Sequence, residues 1–365
     1  MDIVSQMKTM DEAFQSYVVV AFTLLVLAIF IGYSIYLSGL EKREATFMNH
    51  LYSSVNGNLR SIDSDCTGTL CDYYVKTAYN ACSGGSYKND FVSLDVLKAV
   101  IKEGVRCLDF EVYSVGGEPV ISSSTTDSYY VKETFNSVPF GSVLSVIQNY
   151  AFSGGTCPNP TDPLLIHLRC KSANQDMYAK LASLFKSYNS MMLGMNYSYE
   201  TEGKNLGSVP LLDLRNKVVL IMDRSNTTFL ENEQLMEYVN MTSNSLFMRA
   251  YTSFDVKNNP DINELTEFNK RGMTIVLPEQ GASPANPSGI GCRASGCQMV
   301  AMRYQLADNM LMENTQFFDR AGYAFALKPE ELRYKAVTVE APKPQNPEYS
   351  YATRIAESDF YSFKF

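Results

Sequence analysis

The first strong pattern along the chain is an uninterrupted apolar run near its start. Residues 17–37 read YVVVAFTLLVLAIFIGYSIYL, and no charge occurs between Glu12 and Glu41. At about 1.5 Å per residue, a helix of this length crosses the roughly 30 Å hydrocarbon layer of a bilayer. The run is longer than the apolar part of a secretory leader and is edged by Tyr17, Tyr33 and Tyr36. It therefore predicts a retained transmembrane helix over 17–37, behind a short N-terminal segment, 1–16. Beyond it, Leu40, Phe47, Leu51 and Val55 recur at helical spacing. Residues 38–71 are accordingly expected to form a partly helical stalk and linker that sets the body off the membrane.

From residue 72 the rhythm changes. The short β-rich runs are DYYVKTA, VRCLDFEVY, PLLIHLRC, NKVVLIMD, LFMRAYTSF, MTIVLP, QMVAMRYQ and YAFALK. Amphipathic stretches such as SLDVLKAVIKEG, NQDMYAKLASLFKSY and NMLMENTQFFDRA are interspersed among them. Strands that lack alternation are buried on both faces, which is the mark of a parallel sheet covered by helices. Eight such runs predict an α/β fold, a (β/α)8 TIM-type barrel over 72–335 preceded by the membrane helix. Residues 336–365, rich in Pro, Tyr and charge, predict an extended C-terminal tail.

Composition narrows the function. The net charge is −8 and the basic residues do not cluster, which excludes a phosphate-tracking nucleic-acid surface. Only His50 and His167 occur, so a mechanism that needs a histidine acid and a histidine base has almost no material. Among the cysteines, Cys66 and Cys71 in CTGTLC and Cys292 and Cys297 in CRASGC are candidates for two small disulfide rings, with free thiols as the alternative. Zinc is disfavoured, since CxxC knuckles and neighbouring histidines are missing. Cys107 and Cys170 lie in apolar runs and read as buried thiols.

Membrane orientation has two opposing indications. Lys42 and Arg43 after the apolar run against Lys8 before it point weakly to a cytoplasmic body. The even cysteine count and the sequons at Asn196, Asn226 and Asn240 point the other way, and the expectation is a lumenal or extracellular, virion-exposed body.

In a barrel of this kind, functional side chains sit at the C-terminal strand ends. Asp109 and Glu111 are two apart on one strand and share a face, as do His167 and Arg169. These residues carry a family resemblance. GCQMVAMRYQLADNMLMENTQFFDRAGYAFALKPEELR, residues 296–333, resembles the pattern GCQxVAxNxQTxxxxMxxNxxxFxxxGxxGYVLKPxxLR of the Y half of phosphoinositide-specific phospholipase C and related PLC-like phosphodiesterases. In the X half, AVIKEGVRCLDFEVYSVGGEPVIS is similar to the stretch through ELDCWDG and PVITHG, and PLLIHLR to PVILSLE.

What the resemblance implies for the site is loss. AYNAC matches SHNTYL, so Tyr79 stands where the family has its first catalytic histidine, while Asn80, a calcium ligand in the family, remains. Ser123 stands in place of the second histidine, within THG. The Glu-x-Asp metal pair appears reversed as Asp109 and Glu111, and Arg169 replaces the third carboxylate. The headgroup-binding arginine and tyrosine of RIYP match Ile275 and Leu277 ahead of Pro278. A guanidinium in place of a carboxylate is expected to pair with Asp109 and Glu111 and to leave no cofactor, calcium entering only if the residual site of Asn80, Asp109 and Glu111 functions.

Two readings follow. One is a membrane-anchored pseudoenzyme, a binding or structural module for a lipid headgroup or protein partner, as in a viral membrane. The alternative is an active phosphoric diester hydrolase in which His167 serves as base, against the plainer reading of His167 as a hydrogen-bonded core residue.

Overall fold

A single helix, α1 (Ile3–Leu51), takes in both the apolar run and the first part of the expected stalk, 49 residues without a break. The computed structural model describes residues 3–126, 130–198, 205–336, 342–343, 346 and 349–365, with side chains from residue 14 onward. Parts of the expected segments 1–16 and 336–365 lie outside the described residues. Side chains from Phe14 to Tyr36 are exposed, and α1 is long and apolar enough to cross a membrane. Within the apolar stretch, Thr23 Oγ1 and Ser34 Oγ donate to the carbonyls of Val19 and Phe30 at 2.8 and 2.9 Å, which satisfies both hydroxyls without water. At its edge, Arg43 donates to Tyr36 O at 2.7 Å and lies over that ring.

From Met48 onward the expected 38–71 stalk and linker packs into the body. Met48 is fully buried, and Leu59, Ile62, Cys66 and Leu70 join the core. Polar groups fix the same segment: Tyr52 Oη donates to Tyr304 O at 2.7 Å, and Ile62 N to Asp162 Oδ1 at 2.7 Å. The face with helical spacing is not the buried one: Phe47 and Leu51 are exposed, and Met48 beside them is the residue seated in the body.

The body is a sheet of strands β1 (Tyr73–Ala78), β2 (Cys107–Val115), β3 (Glu118–Ser122), β4 (Val138–Pro139), β5 (Leu164–Lys171), β6 (Val218–Asp223), β7 (Met241–Ser243), β8 (Met248–Thr252), β9 (Met273–Leu277), β10 (Met299–Met302) and β11 (Phe325–Leu327). Eight of these run parallel in the order β7-β6-β5-β2-β1-β10-β9-β8, a barrel nearly closed on itself. Helices α2 (Leu94–Lys102), α3 (Phe140–Val146), α4 (Gln175–Ser187), α5 (Glu233–Met236), α6 (Ser253–Lys257), α7 (Ile262–Asn269), α8 (Gly289–Ala294) and α9 (Asn309–Ala321) follow the strands.

Eight strands were expected, and eight form the barrel, but one member differs. YAFALK forms β11, which pairs antiparallel with β1 outside the ring, and the missing place is taken by the three-residue β7. So short a strand carries too little pattern to be seen in sequence.

Alternation along each strand divides the core. Leu108, Phe110 and Val112 of β2 point outward to the helices, together with Ile166 and Leu168 of β5. Cys107, Leu165, Val219, Ile275 and Met299 fill the lower barrel interior. The next inward positions up β2 and β5 are polar, and the parallel register sets Asp109 beside His167 and Glu111 beside Arg169. An apolar floor thus supports a charged upper layer.

Two further expectations change. All eight cysteines are buried free thiols. Cys71 Sγ contacts Thr69 Oγ1 and Lys270 O rather than Cys66, and Asn269 Nδ2 donates to Cys297 Sγ, so neither CTGTLC nor CRASGC closes into a disulfide ring. The sequons give equally little support to an oxidising compartment. Asn226 and Asn240 are buried, the first donating to Cys170 O and Ser172 O, the second to Tyr197 O, while Asn196 is exposed.

Residues Tyr334–Phe365 form a separate unit. Its hairpin of β12 (Ile355–Ser358) and β13 (Tyr361–Lys364) carries exposed Tyr361, Phe363 and Phe365, each ring against the next.

Candidate functional site

β1 ends at Ala78, and the chain turns at Asn80, whose φ of 43° is a left-handed conformation that asparagine tolerates better than most residues. The turn aims Asn80 N at Asp109 Oδ2, 3.2 Å away, and Asn80 Nδ2 at Glu111 Oε1, also 3.2 Å. The strand ends thereby bring Tyr79, Asn80, Asp109, Glu111, His167 and Arg169 together, all buried.

Arg169 is the hub. Its Nε donates to Asp109 Oδ1 at 3.0 Å and Nη2 to Asp109 Oδ2 at 2.8 Å, while Nη1 reaches Glu111 Oε1 at 2.9 Å. Nη2 also donates to Asn80 Oδ1 at 3.0 Å. The Tyr79 ring lies against the guanidinium, with its centroid 4.7 Å from Cζ. Planar forks of this kind are the strongest arginine–carboxylate geometry.

Electrostatics follow from the packing. Burial pushes the Asp109 carboxyl up, but the Arg169 charge and the hydrogen bonds from His167 and Arg169 outweigh it and hold Asp109 well below the usual carboxylate range. Burial likewise works against charge on Arg169, and the neighbouring Asp109, Tyr79 and Glu111 more than reverse it, so the guanidinium is held charged. Burial raises the Tyr79 phenol well above its ordinary value, opposed by Arg169. A phenol so placed stays protonated and is a poor base.

Glu111 is held from its other side as well. Tyr113 Oη donates to Oε2 at 2.6 Å, and Ser124 N at 3.0 Å. His167 is fully buried between Asp109 and Ser243, Nδ1 donating to Asp109 Oδ1 at 2.7 Å and Nε2 sharing a hydrogen bond with Ser243 Oγ at 2.9 Å. Ser243 in turn donates to Asp223 Oδ1 at 3.1 Å. Both ring nitrogens are thus engaged by the barrel itself. Ser123 is buried and donates weakly to Tyr87 O at 3.5 Å, away from the Arg169 cluster. Ile275 is core, and Leu277 packs on Tyr79 and Tyr87.

A calcium ion does not fit this residue set. Calcium needs about six to eight oxygen ligands, and the Asp109, Glu111 and Asn80 oxygens converge instead on a guanidinium that carries its own positive charge. Among the described residues, no group of three or more His, Cys, Asp or Glu side chains is arranged to hold a metal.

A second arginine lies nearby that the sequence reading passed over. Arg303 is buried above the Tyr87 ring, its Nε donating to Tyr87 Oη at 3.0 Å and Nη1 to Pro284 O. Tyr87 stands edge-on to Tyr79, with centroids 5.3 Å apart. The signal was present in sequence, since Arg303 occupies the Asn position of the Y-half pattern.

An α/β barrel with a polar layer at the C-terminal strand ends is an enzyme scaffold by architecture. Residues 66–224 match the phosphatidylinositol-specific phospholipase C X domain, and residues 216–331 match the Y domain. With both halves matched in order across most of its length, the chain belongs to the phosphatidylinositol-specific phospholipase C family. Among solved structures, PLC21 of L. pealei aligns with a TM-score of 0.59 at 19% identity, over 76% of this chain and 39% of its own. PLC21 of S. officinalis gives 0.57 at 19% identity, over 74% and 38%. This chain therefore spans well under half of those proteins. The phosphatidylinositol-specific phospholipase C from Listeria monocytogenes aligns over 72% of this chain and 97% of its own, at 11% identity and a TM-score of 0.46. Comparison with curated proteins gives no significant match.

Proposed function

We propose that this chain is a membrane-anchored member of the family that no longer cleaves phosphodiesters by the family's chemistry and serves as a binding or structural module for a lipid headgroup or protein partner. One observation carries the reading: the Arg169 guanidinium fills the space among Asn80, Asp109 and Glu111. In-line attack on a phosphodiester needs a base for the attacking hydroxyl and an acid for the leaving oxygen, each contributing about 10² to 10⁴ in rate. Tyr79 and Ser123 stand at the corresponding positions and supply neither near neutral pH. The same packing counts against His167 as a replacement base, because its nitrogens are committed to Asp109 and Ser243.

The helix over 17–37 is the anchor in this reading. Eight buried thiols and two buried sequon asparagines favour a body on the reducing side of that membrane. The test is turnover by the purified full chain on vesicles containing phosphatidylinositol, with and without calcium. Product at the uncatalysed level under both conditions is expected. Calcium-dependent release of inositol phosphate that Asp109→Ala abolishes would overturn the reading.

A further inference from the structure

Just beyond the apolar run, Glu44 of α1 packs against the Gly84–Gly85 turn of the barrel mouth, where a Cβ added to Gly85 would collide with Oε1 of Glu44 and Oδ2 of Asp90. The same Cβ position lies 2.3 Å from the Glu44 oxygen and 2.4 Å from the Asp90 oxygen, so the two carboxyl groups face each other beside Gly85, within reach of one another. Two carboxyls in hydrogen-bond contact must share a proton, because two acceptor-only groups repel. Asp90 is buried and accepts from Ser86 N through Oδ2 at 2.7 Å and from Phe91 N through Oδ1 at 2.9 Å. With both Asp90 oxygens already accepting backbone N–H groups, Glu44 is the partner placed to donate.

We propose that this shared proton clasps the juxtamembrane helix to the loop of residues 79–92, which carries Tyr79 and Asn80 into the barrel mouth, and that losing it frees the loop. The charged neighbours are few. Glu41 and Arg43 lie on the helix itself, Arg43 turned toward Tyr36. From the end of β10, Arg303 and Gln305 donate to Gly85 O at 3.4 and 3.1 Å. Lys88 of the loop is paired with Glu133 at 2.9 Å.

Burial, then the Asp90 hydrogen bond and charge, push Glu44 from 4.5 up to about 9, with Glu41 adding and Arg43 opposing. A raised value in the clasped state means that the clasp is fully present below the ordinary glutamate range and is lost as pH climbs through about 9.

Hydrogen exchange of the full chain in phosphatidylcholine nanodiscs, corrected for intrinsic pH dependence, tests the clasp. Peptides from 82–92 are expected to exchange at least about tenfold faster at roughly pH 10 than at roughly pH 7, while β5 peptides, the control for an intact barrel, do not change. Glu44→Gln, which keeps a donor and has no proton to lose, should protect the loop at both pH values. Glu44→Ala should leave it unprotected at both. A Gln variant with the native pH response, or an Ala variant with native protection near pH 7, would overturn the proposal.

Discussion

Arg169 grips Asp109 with a two-pronged fork, Nε to Oδ1 at 3.0 Å and Nη2 to Oδ2 at 2.8 Å. Removing one partner of a buried pair leaves the other charge stranded, which costs about 3–5 kcal/mol. Arg169→Met is expected to lower unfolding free energy by that order, measured by urea denaturation in detergent. Arg169→Lys should recover only part of it, since an ammonium cannot reproduce the fork. A loss below about 1 kcal/mol in Arg169→Met would contradict the cluster as described.

The same pair sets an acid limb. Asp109 is depressed in the folded state from its ordinary 3.8, so its contribution to stability is present above pH 3.8 and is lost as pH falls further. Melting temperature followed from pH 6 downward should decline below about pH 4 in the native chain. Asp109→Asn should start lower and decline less steeply.

Calcium should not stabilise the native chain. The weakest protein calcium sites bind at roughly 10⁻⁴ to 10⁻³ M, so about 5 mM would raise the melting temperature of a chain with a working site. No shift is expected while Arg169 occupies the cluster. A rise of several degrees that Glu111→Gln removes would show that the guanidinium yields its place.

Thiol chemistry should follow burial. Desolvation pushes Cys82 and Cys107 far above the ordinary thiol range, and Cys297 to about 12. A maleimide mass tag applied without reductant should add slowly to the folded chain and reach all eight cysteines once the chain is unfolded. Fewer than eight tags on the unfolded chain would reveal a disulfide.

Buried sequons should resist glycosylation. In a glycosylating lumen only Asn196 presents its amide to solvent, so endoglycosidase treatment should remove at most one glycan from a folded chain. Asn226→Asp, which removes the Nδ2 bonds to Cys170 O and Ser172 O and puts a charge beside both carbonyls, should cost about 1–3 kcal/mol.

Much of this architecture could be read from the chain itself, because long strands such as LLIHLRCK announce themselves by continuous apolar character. The pairing of Asp109 with Arg169 was also legible, since period-two spacing puts each on the inner face of its strand. Other features depend on distance contacts that leave no local trace. β7 is set by its neighbour β6, the 38–71 segment by a surface it meets only after folding, and the Glu44–Asp90 contact by the approach of two segments far apart in sequence. Cysteine spacing misled for a related reason: close spacing in CRASGC suits a ring, yet Cys292 and Cys297 sit as free thiols within one apolar cluster, with Asn269 Nδ2 donating to Cys297 Sγ.

The unbroken course of α1 has a mechanical consequence. A rod of 49 residues extends about 74 Å, with no flexible joint between the apolar stretch and the flank where Met48 is seated. For a chain anchored as proposed, any tilt that relieves a mismatch with bilayer thickness swings the whole catalytic-fold domain through the same angle. Thickness of the surrounding lipid would then be transmitted as attitude, turning the rim nearer to or farther from the headgroups like the head of a lever.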